Sequence, residues 1–180
     1  KRPGNQLTKG SAGNGSPGHL LAATIAKKAN ANILHVPYRG GAPAASDLLG
    51  GQIDMVFDFM PALMPHIASG RLIPLAVGSR ERSPIMPDVP SMGDFADLGL
   101  GDLDLQSWNV LTGPAGMDPQ LVSAIASSVV KSANPELANK LKVAGLVLAT
   151  TEGNAATKAL IEADAPRWKE MIAISGATLD

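Results

Sequence analysis

The sequence contains no cysteine. Disulfides, thiolate catalysis and thiolate metal sites are thereby excluded, and the redox compartment is left open. Aromatic residues make up only 3% of the chain, too few for the stacking platforms that bind bases or sugars. Neither sign of charge dominates, since 15 Lys and Arg stand against 16 Asp and Glu for a net charge of -1, and the cations are scattered. Nucleic acid and anionic membrane surfaces drop out as partners. No apolar run reaches membrane-spanning length. No charged-then-apolar leader precedes Lys1, so an exported protein would carry its signal peptide outside this sequence. Nor is there a repeat in the solenoid range. What remains is 180 residues with 45% hydrophobic content, enough to bury a sizeable core as one domain or two small lobes.

The first part of the chain alternates strand and helix. NQLTKG (5–10) predicts a short strand, and HLLAATIAKKAN (19–30) a helix whose apolar face ends at Lys27 and Lys28, cations suited to a helix C-terminus. ANILHVPY (31–38) reads as a second strand. RGGAPAASDLLGG (39–51) reads as a helix with Pro43 near its start and Gly50 and Gly51 as its stop. QIDMVFD (52–58), MPALMPHIASG (60–70) and RLIPLAVGS (71–79) continue as strand, short helix and fourth strand, with Pro74 placing the last at a sheet edge. Parallel strands with crossover helices follow from this order, hence an α/β fold. Residues 80–106, rich in Pro, Gly and Asp, read as a long surface excursion and a lobe boundary. Beyond it, SWNVLTGPAG (107–116) predicts a strand. Asp118-Pro119 and Asn134-Pro135 cap two helices, LVLATT (146–151) a short strand, and residues 154–176 a long helix with Pro166 inside it.

Between the first strand and first helix lies Gly13-Asn14-Gly15-Ser16-Pro17-Gly18, a literal G-x-G-x-x-G. Such a loop turns tightly, converges its N–H groups and leads into a positive helix end, so it attracts anions. A dinucleotide site also needs an acid at the end of the second strand. That position reads Val36-Pro37-Tyr38-Arg39; Arg39 could take a ribose phosphate, but the missing acid and Pro17 inside the motif count against a dinucleotide, and the bare hexapeptide is a weak signal for one. A nucleophile elbow at Ser16 fails, because Asn14 stands where G-x-S-x-G needs its first glycine. Ser16 as cap of a helix begun by Pro17 holds under either outcome.

Three ordered stretches, LTKGSAGNGSPGHL (7–20), HVPYRGGAPAASDLLGGQIDMVFD (35–58) and PHIASGRLIPLAVGSRERSPIMPDVPSM (65–92), together resemble the substrate-binding receptors of the tripartite tricarboxylate transporter family, the Bug proteins. Residues from Ser107 to the end are similar to that family's C-terminal part. The resemblance implies a type II periplasmic-binding-protein-like fold with one complete α/β lobe, 1–105, plus the C-terminal portion of a second lobe, 106–180. It also implies a periplasmic receptor that grips a small carboxylate largely through backbone amides and presents it to membrane permease subunits. The loop Ser11, Ala12, Gly13, Asn14, Gly15, Ser16 matches the second lobe's grip. Family members carry a further N-terminal segment forming most of the first lobe, so the chain is expected to be a fragment. Its partial lobe is then expected to expose an apolar face that favours self-association.

The remaining candidates are weaker. Tyr38, Arg39 and Gly40 follow a strand's carboxyl end, where open α/β sheets bind ligands, or form an ordinary turn. Asp58 ends the third strand at the same edge. Its carboxylate repels an anion, so it receives an amine or hydroxyl, or orders a water or a neighbouring loop; Phe59 stands where many relatives place a polar residue. His19, His35 and His66 lie on separate elements without paired carboxylates, which argues against a metal site. Met55, Met60 and Met64 read as soft packing, Trp108 as interlobe packing and Trp168 as core. No cofactor is implied. Two other classes stay open at this point. An enzyme using the anion loop lacks a general base paired with Ser16, and a ligand-sensing effector domain lacks a helix-turn-helix.

Overall fold

The computed structural model describes residues 6–148 and 153–178. The chain divides into two compact units, one running to Gln106 and resuming at Trp168, the other Ser107–Arg167. The first unit is built on β1 (Leu7–Ser11), α1 (Pro17–Lys28), β2 (Ile33–Pro37), α2 (Gly41–Leu49), β3 (Met55–Val56) and α3 (Met60–Ala68). The three strands are parallel in the order β2-β1-β3. Lys9 pairs with His35 on one side and Met55 on the other. Thr8 locks β1 to the approach of β3: its N–H and Oγ1 donate to Asp54 Oδ2 at 2.8 and 2.7 Å.

Alternating side chains of β1 face opposite layers. Gly10 faces Ile53, Tyr38 and Ala44, and a Cβ there would lie 2.6 Å from Ile53 Cδ1, so glycine is what lets α2 lie close on this face. Ala44, Ala45 and Ile53 are buried in that layer. On α1, Leu20 and Leu21 join Met171 in a core cluster, with Ile25, Phe57, Leu103, Leu105, Trp168 and Ala177 packed around it. Burying apolar side chains of this size stabilises by roughly 1.5–3 kcal/mol each. That cluster explains why the chain's last residues belong with the first unit.

The fourth strand does not form. Residues 71–79 contribute a single bridge, Val77 to Ser91, while Ile73 and Leu75 stay 81% and 72% exposed. Pro74 has no N–H to donate, and a β-like sequence without a neighbour stays an extended segment. The third strand shortens to Met55–Val56 for the same want of a second partner. Within the excursion, Met92–Leu98 forms a 3-10 helix. Ser91 and Asp94 cap it reciprocally, and Arg82 pairs with Asp94 at 3.0 Å. Met92 and Leu100 are buried, so this segment returns to the core rather than running over the surface.

The second unit holds α4 (Pro119–Ser132), α5 (Pro135–Val143) and α6 (Gly153–Ser175) as far as Arg167. Asp118 accepts from Gln120 N–H at 2.7 Å and Asn134 from Leu137 N–H at 2.9 Å, each with proline at the first helical position. Among the described residues, 107–116 and 146–148 form no strand; the rest of LVLATT, 149–151, lies outside them. Trp108 Nε1 donates to Asp164 Oδ2 at 2.9 Å, and Asp164 also pairs with Arg167.

Candidate functional site

Because β1, β2 and β3 are parallel, their carboxyl ends share one edge. The N-termini of α1, α2 and α3 follow directly after those ends. The Ser11–Ser16 loop is stitched along this edge to the exit of β2. Tyr38 N–H donates to Ser11 O and Gly40 N–H to Ala12 O, both at 3.1 Å. On the other side Phe57 N–H donates to Gly10 O at 3.2 Å. Two glycines permit the approach of the flanking chains: a Cβ on Gly18 would collide with the Phe57 carbonyl, and one on Gly41 with the Asp58 carboxylate. The loop, Gly40 and Asp58 thus lie at one edge.

Within the loop, alternate residues have different duties. Ser11 Oγ contacts Gly13 O at 3.0 Å and accepts from Gly13 N–H at 3.3 Å. Gly15 N–H donates to His19 Nδ1 at 3.1 Å. Ser16 N–H and Oγ both reach Gly13 O, at 3.2 and 2.8 Å, while Ser16 Oγ accepts from His19 N–H and caps α1. Gly13, Gly15 and Ser16 therefore commit their amides to the loop's own shape. Among the described residues the amides of Ala12 and Asn14 have no protein acceptor, and Ala12 is half-buried while Asn14 is exposed. The Asn14 side chain turns away, its Nδ2 donating to Thr178 O at 3.0 Å. Gly13 at φ 141° and Gly15 at φ 72° take backbone conformations that L side chains rarely adopt.

Unpaired amides beside helix N-termini make this edge suited to an anion. Asp58 is the exception. One oxygen, Oδ1, accepts from Phe59 N–H at 2.7 Å, and the other is buried against Gly41 without a partner. Desolvation raises its pKa, partly opposed by the Phe59 bond. Of the roles the residue type allows, this geometry is that of a group ordering the neighbouring chain. Tyr38 lies under α2, its hydroxyl donating to Asp47 Oδ2 at 2.8 Å, with its ring edge close to Gly10.

Sequence reasoning missed what lies beneath the loop. His19 and His35, assigned to separate elements, stack with ring centroids 3.8 Å apart and planes within 5°. His35 Nε2 lies 2.7 Å from Ser11 Oγ. Lys9, only 3% exposed, belongs to the same layer. Burial holds the Lys9 ammonium down to about 8. Desolvation, then the charges of His19 and Lys9, hold His35 down to about 4, and His19 is lowered by desolvation and Lys9. The available signal was register: His35 sits opposite Lys9 on β2, two residues before the strand's carboxyl end, and His19 lies in the first turn of the helix that follows β1.

Residues 1–176 match the profile of the tripartite tricarboxylate transporter family receptor. The chain is 34% identical over 175 residues to a UPF0065 protein from the tcbD-tcbE intergenic region of Pseudomonas sp. (strain P51), covering 96% of this chain and 50% of that protein. It is 33% identical over 172 residues to Protein BugT of Bordetella pertussis, covering 92% of this chain and 50% of BugT. The chain spans about half the length of these curated relatives. Among solved structures, R. palustris Rpa4515 with adipate superposes with a TM-score of 0.82 at 26% identity, covering 96% of this chain and 56% of that one.

Proposed function

We propose, from the premise that this chain belongs to the tripartite tricarboxylate transporter receptor family, that it forms the gripping part of an extracytoplasmic receptor for a small carboxylate. Residues 1–105 supply the α/β lobe that holds the ligand. Residues 106–180 supply the returning part of the other lobe, and the receptor hands its cargo to membrane permease subunits from the periplasmic side. The observation that carries the reading is the pair of amides, Ala12 and Asn14, left without an acceptor among the described residues and set at the carboxyl edge of a parallel sheet between helix N-termini. Two N–H donors spaced one residue apart on a glycine-held loop match the two oxygens of a carboxylate. Rpa4515, similar over 96% of this chain, was solved with adipate.

Ser11 and Gly13 shape the loop, Gly15 and Ser16 tie it to α1, and Tyr38, Gly40 and Asp58 hold the neighbouring chain in place. Side chains therefore matter here chiefly through the backbone they position. The test is calorimetric titration of adipate, with inorganic phosphate as a non-carboxylate control, into the protein made with every residue its reading frame encodes. Saturable adipate binding, with cross-peak shifts at the Ala12 and Asn14 amides by NMR, is the expected result. Binding that leaves both amides unmoved would sink the assignment of this loop.

A further inference from the structure

We propose that His19 is a positioning residue for the ligand loop. Its neutral ring, stacked on His35, holds the Gly13–Gly15 backbone in gripping shape, and acidification releases that hold. The inference rests on the loop being the carboxylate grip.

The geometry assigns the proton. A backbone N–H can only donate, so the Gly15 bond to His19 Nδ1 at 3.1 Å requires that nitrogen to be an acceptor. The His19 proton is then on Nε2, and a second proton would fall on Nδ1, aimed at the Gly15 N–H. His35 works from the other end: its Nε2 meets Ser11 Oγ at 2.7 Å, and Ser11 Oγ contacts both the N–H and the carbonyl of Gly13. The stacked pair thus braces the loop at Gly13 and Gly15, and the open amides of Ala12 and Asn14 alternate with the braced residues. Of the two rings, His19 is the one whose contact fails on protonation, because His35 can still donate through Nε2.

The groups acting on His19 are Lys9 from β1, and the stacked His35 from β2; on His35 they are His19 and Lys9. Among the described residues no carboxylate is one of them, so a proton added to His19 meets repulsion from Lys9 as well as a lost bond. Both histidines titrate below the ordinary 6.5 in the folded chain. The unfolded chain takes up these protons first, so folding stability falls as pH drops below that value, and the Gly15–His19 bond is lost where folded His19 itself titrates, lower still.

Two measurements separate this role from the function it rests on. In the ligand-free protein, the His19 ring nitrogens should report the Nε2–H tautomer by NMR. Protection of the Gly15 amide against hydrogen exchange, taken relative to its intrinsic rate at each pH, should fall with the midpoint at which His19 titrates. In the second, adipate affinity, corrected for the ligand's own protonation, is followed downward from about pH 7.5, and the wild type should weaken about tenfold or more as His19 titrates. His19→Asn, whose Oδ1 takes the place of Nδ1 without titrating, should bind adipate as the wild type does at neutral pH and lose the acid limb. His19→Leu should bind weakly throughout. A Gly15 amide indifferent to the His19 titration, or a His19→Asn protein that keeps the acid limb, overturns the proposal. Loop coupling without any adipate binding would uphold the brace and count against the carboxylate reading alone.

Discussion

In the first unit, α1 starts at Ser16-Pro17 and goes on to bury Leu20 and Leu21; in the second, α4 starts at Asp118-Pro119 by the same device and buries nothing. α5 repeats the pattern, capped by Asn134 and without a buried residue. The hydrophobic residues of the second unit are there, but Leu111, Leu121, Val129, Val143 and Val147 are all more than half exposed. Capping starts a helix in either place, whereas a core forms only where packed elements cover the apolar side of the helix. The open faces of the second unit motivate a self-association that light scattering across a concentration series would detect.

Core truncation should give the largest contrast. Leu20→Ala removes a side chain that is 2% exposed and is expected to destabilise by roughly 2–5 kcal/mol. Leu121→Ala, at a position 51% exposed, should stay within about 0.5 kcal/mol. Chemical denaturation of the two variants measures both. Equal losses would mean that the second unit has a core of its own, and the comparison would fail.

The same contrast governs what was legible in the sequence. Helix starts are local: a capping side chain and a proline at the next position mark α1, α4 and α5 in a few letters. Strands are not. RLIPLAVGS reads as a strand and is not one, since strand formation is a property of two segments and this one finds a partner only at the single Val77–Ser91 bridge. The site divides likewise. The glycine loop and its edge follow from the strand-loop-helix order. The His19–His35 stack depends on the β1–β2 register, and the tie from Asn14 to Thr178 spans 164 residues.

Next in size is a test of the loop's backbone role. Gly13 sits at φ 141°, and its Cβ position lies 3.4 Å from the Tyr38 carbonyl. Gly13→Val would put a β-branched side chain in a conformation that such residues avoid. Carboxylate binding in the protein should weaken about tenfold or more, equivalent to about 1.4 kcal/mol. Ser16→Ala, which removes a cap and leaves the amides in place, should cost less binding than Gly13→Val. Calorimetry on the pair decides between a grip made by backbone shape and one made by the hydroxyl.

Lys9 offers a smaller effect of opposite sign. Its ammonium is buried in the first unit, with no salt bridge among the described residues. Folding lowers its pKa from 10.5 to about 8, so between those values the unfolded chain holds the proton that the folded chain gives up. Stability therefore rises with pH across that window, and the burial cost is present in full below it. Lys9→Met is expected to stabilise at neutral pH by about 1 kcal/mol, a gain that shrinks as pH climbs above 8. It should also move the histidine titrations upward by removing the cation that opposes them. A Lys9→Met protein less stable than wild type at neutral pH would mean that the lysine has a partner worth more than its desolvation.

The smallest effect belongs to the second unit. Asp118 Oδ1 accepts from Gln120 N–H at 2.7 Å at an exposed helix start, and Asp118→Ala should remove about 1 kcal/mol of local helix stability. Since α4 buries no residue, nothing further along the helix adds to that loss. Fraying should stay within the first turn, raising hydrogen exchange of its amides about fivefold. Ser16→Ala removes the corresponding cap from α1, but there Leu20 and Leu21 hold the same turn against the core. Its first-turn amides should exchange only about as fast as the global opening of that unit allows. Exchange rates for the two first turns, measured side by side, sharpen the comparison to a single quantity: how much burial each cap has behind it. If the amides of α4 prove as protected after Asp118→Ala as before, the helix is held by contacts other than its cap, and the contrast between the units rests on burial alone.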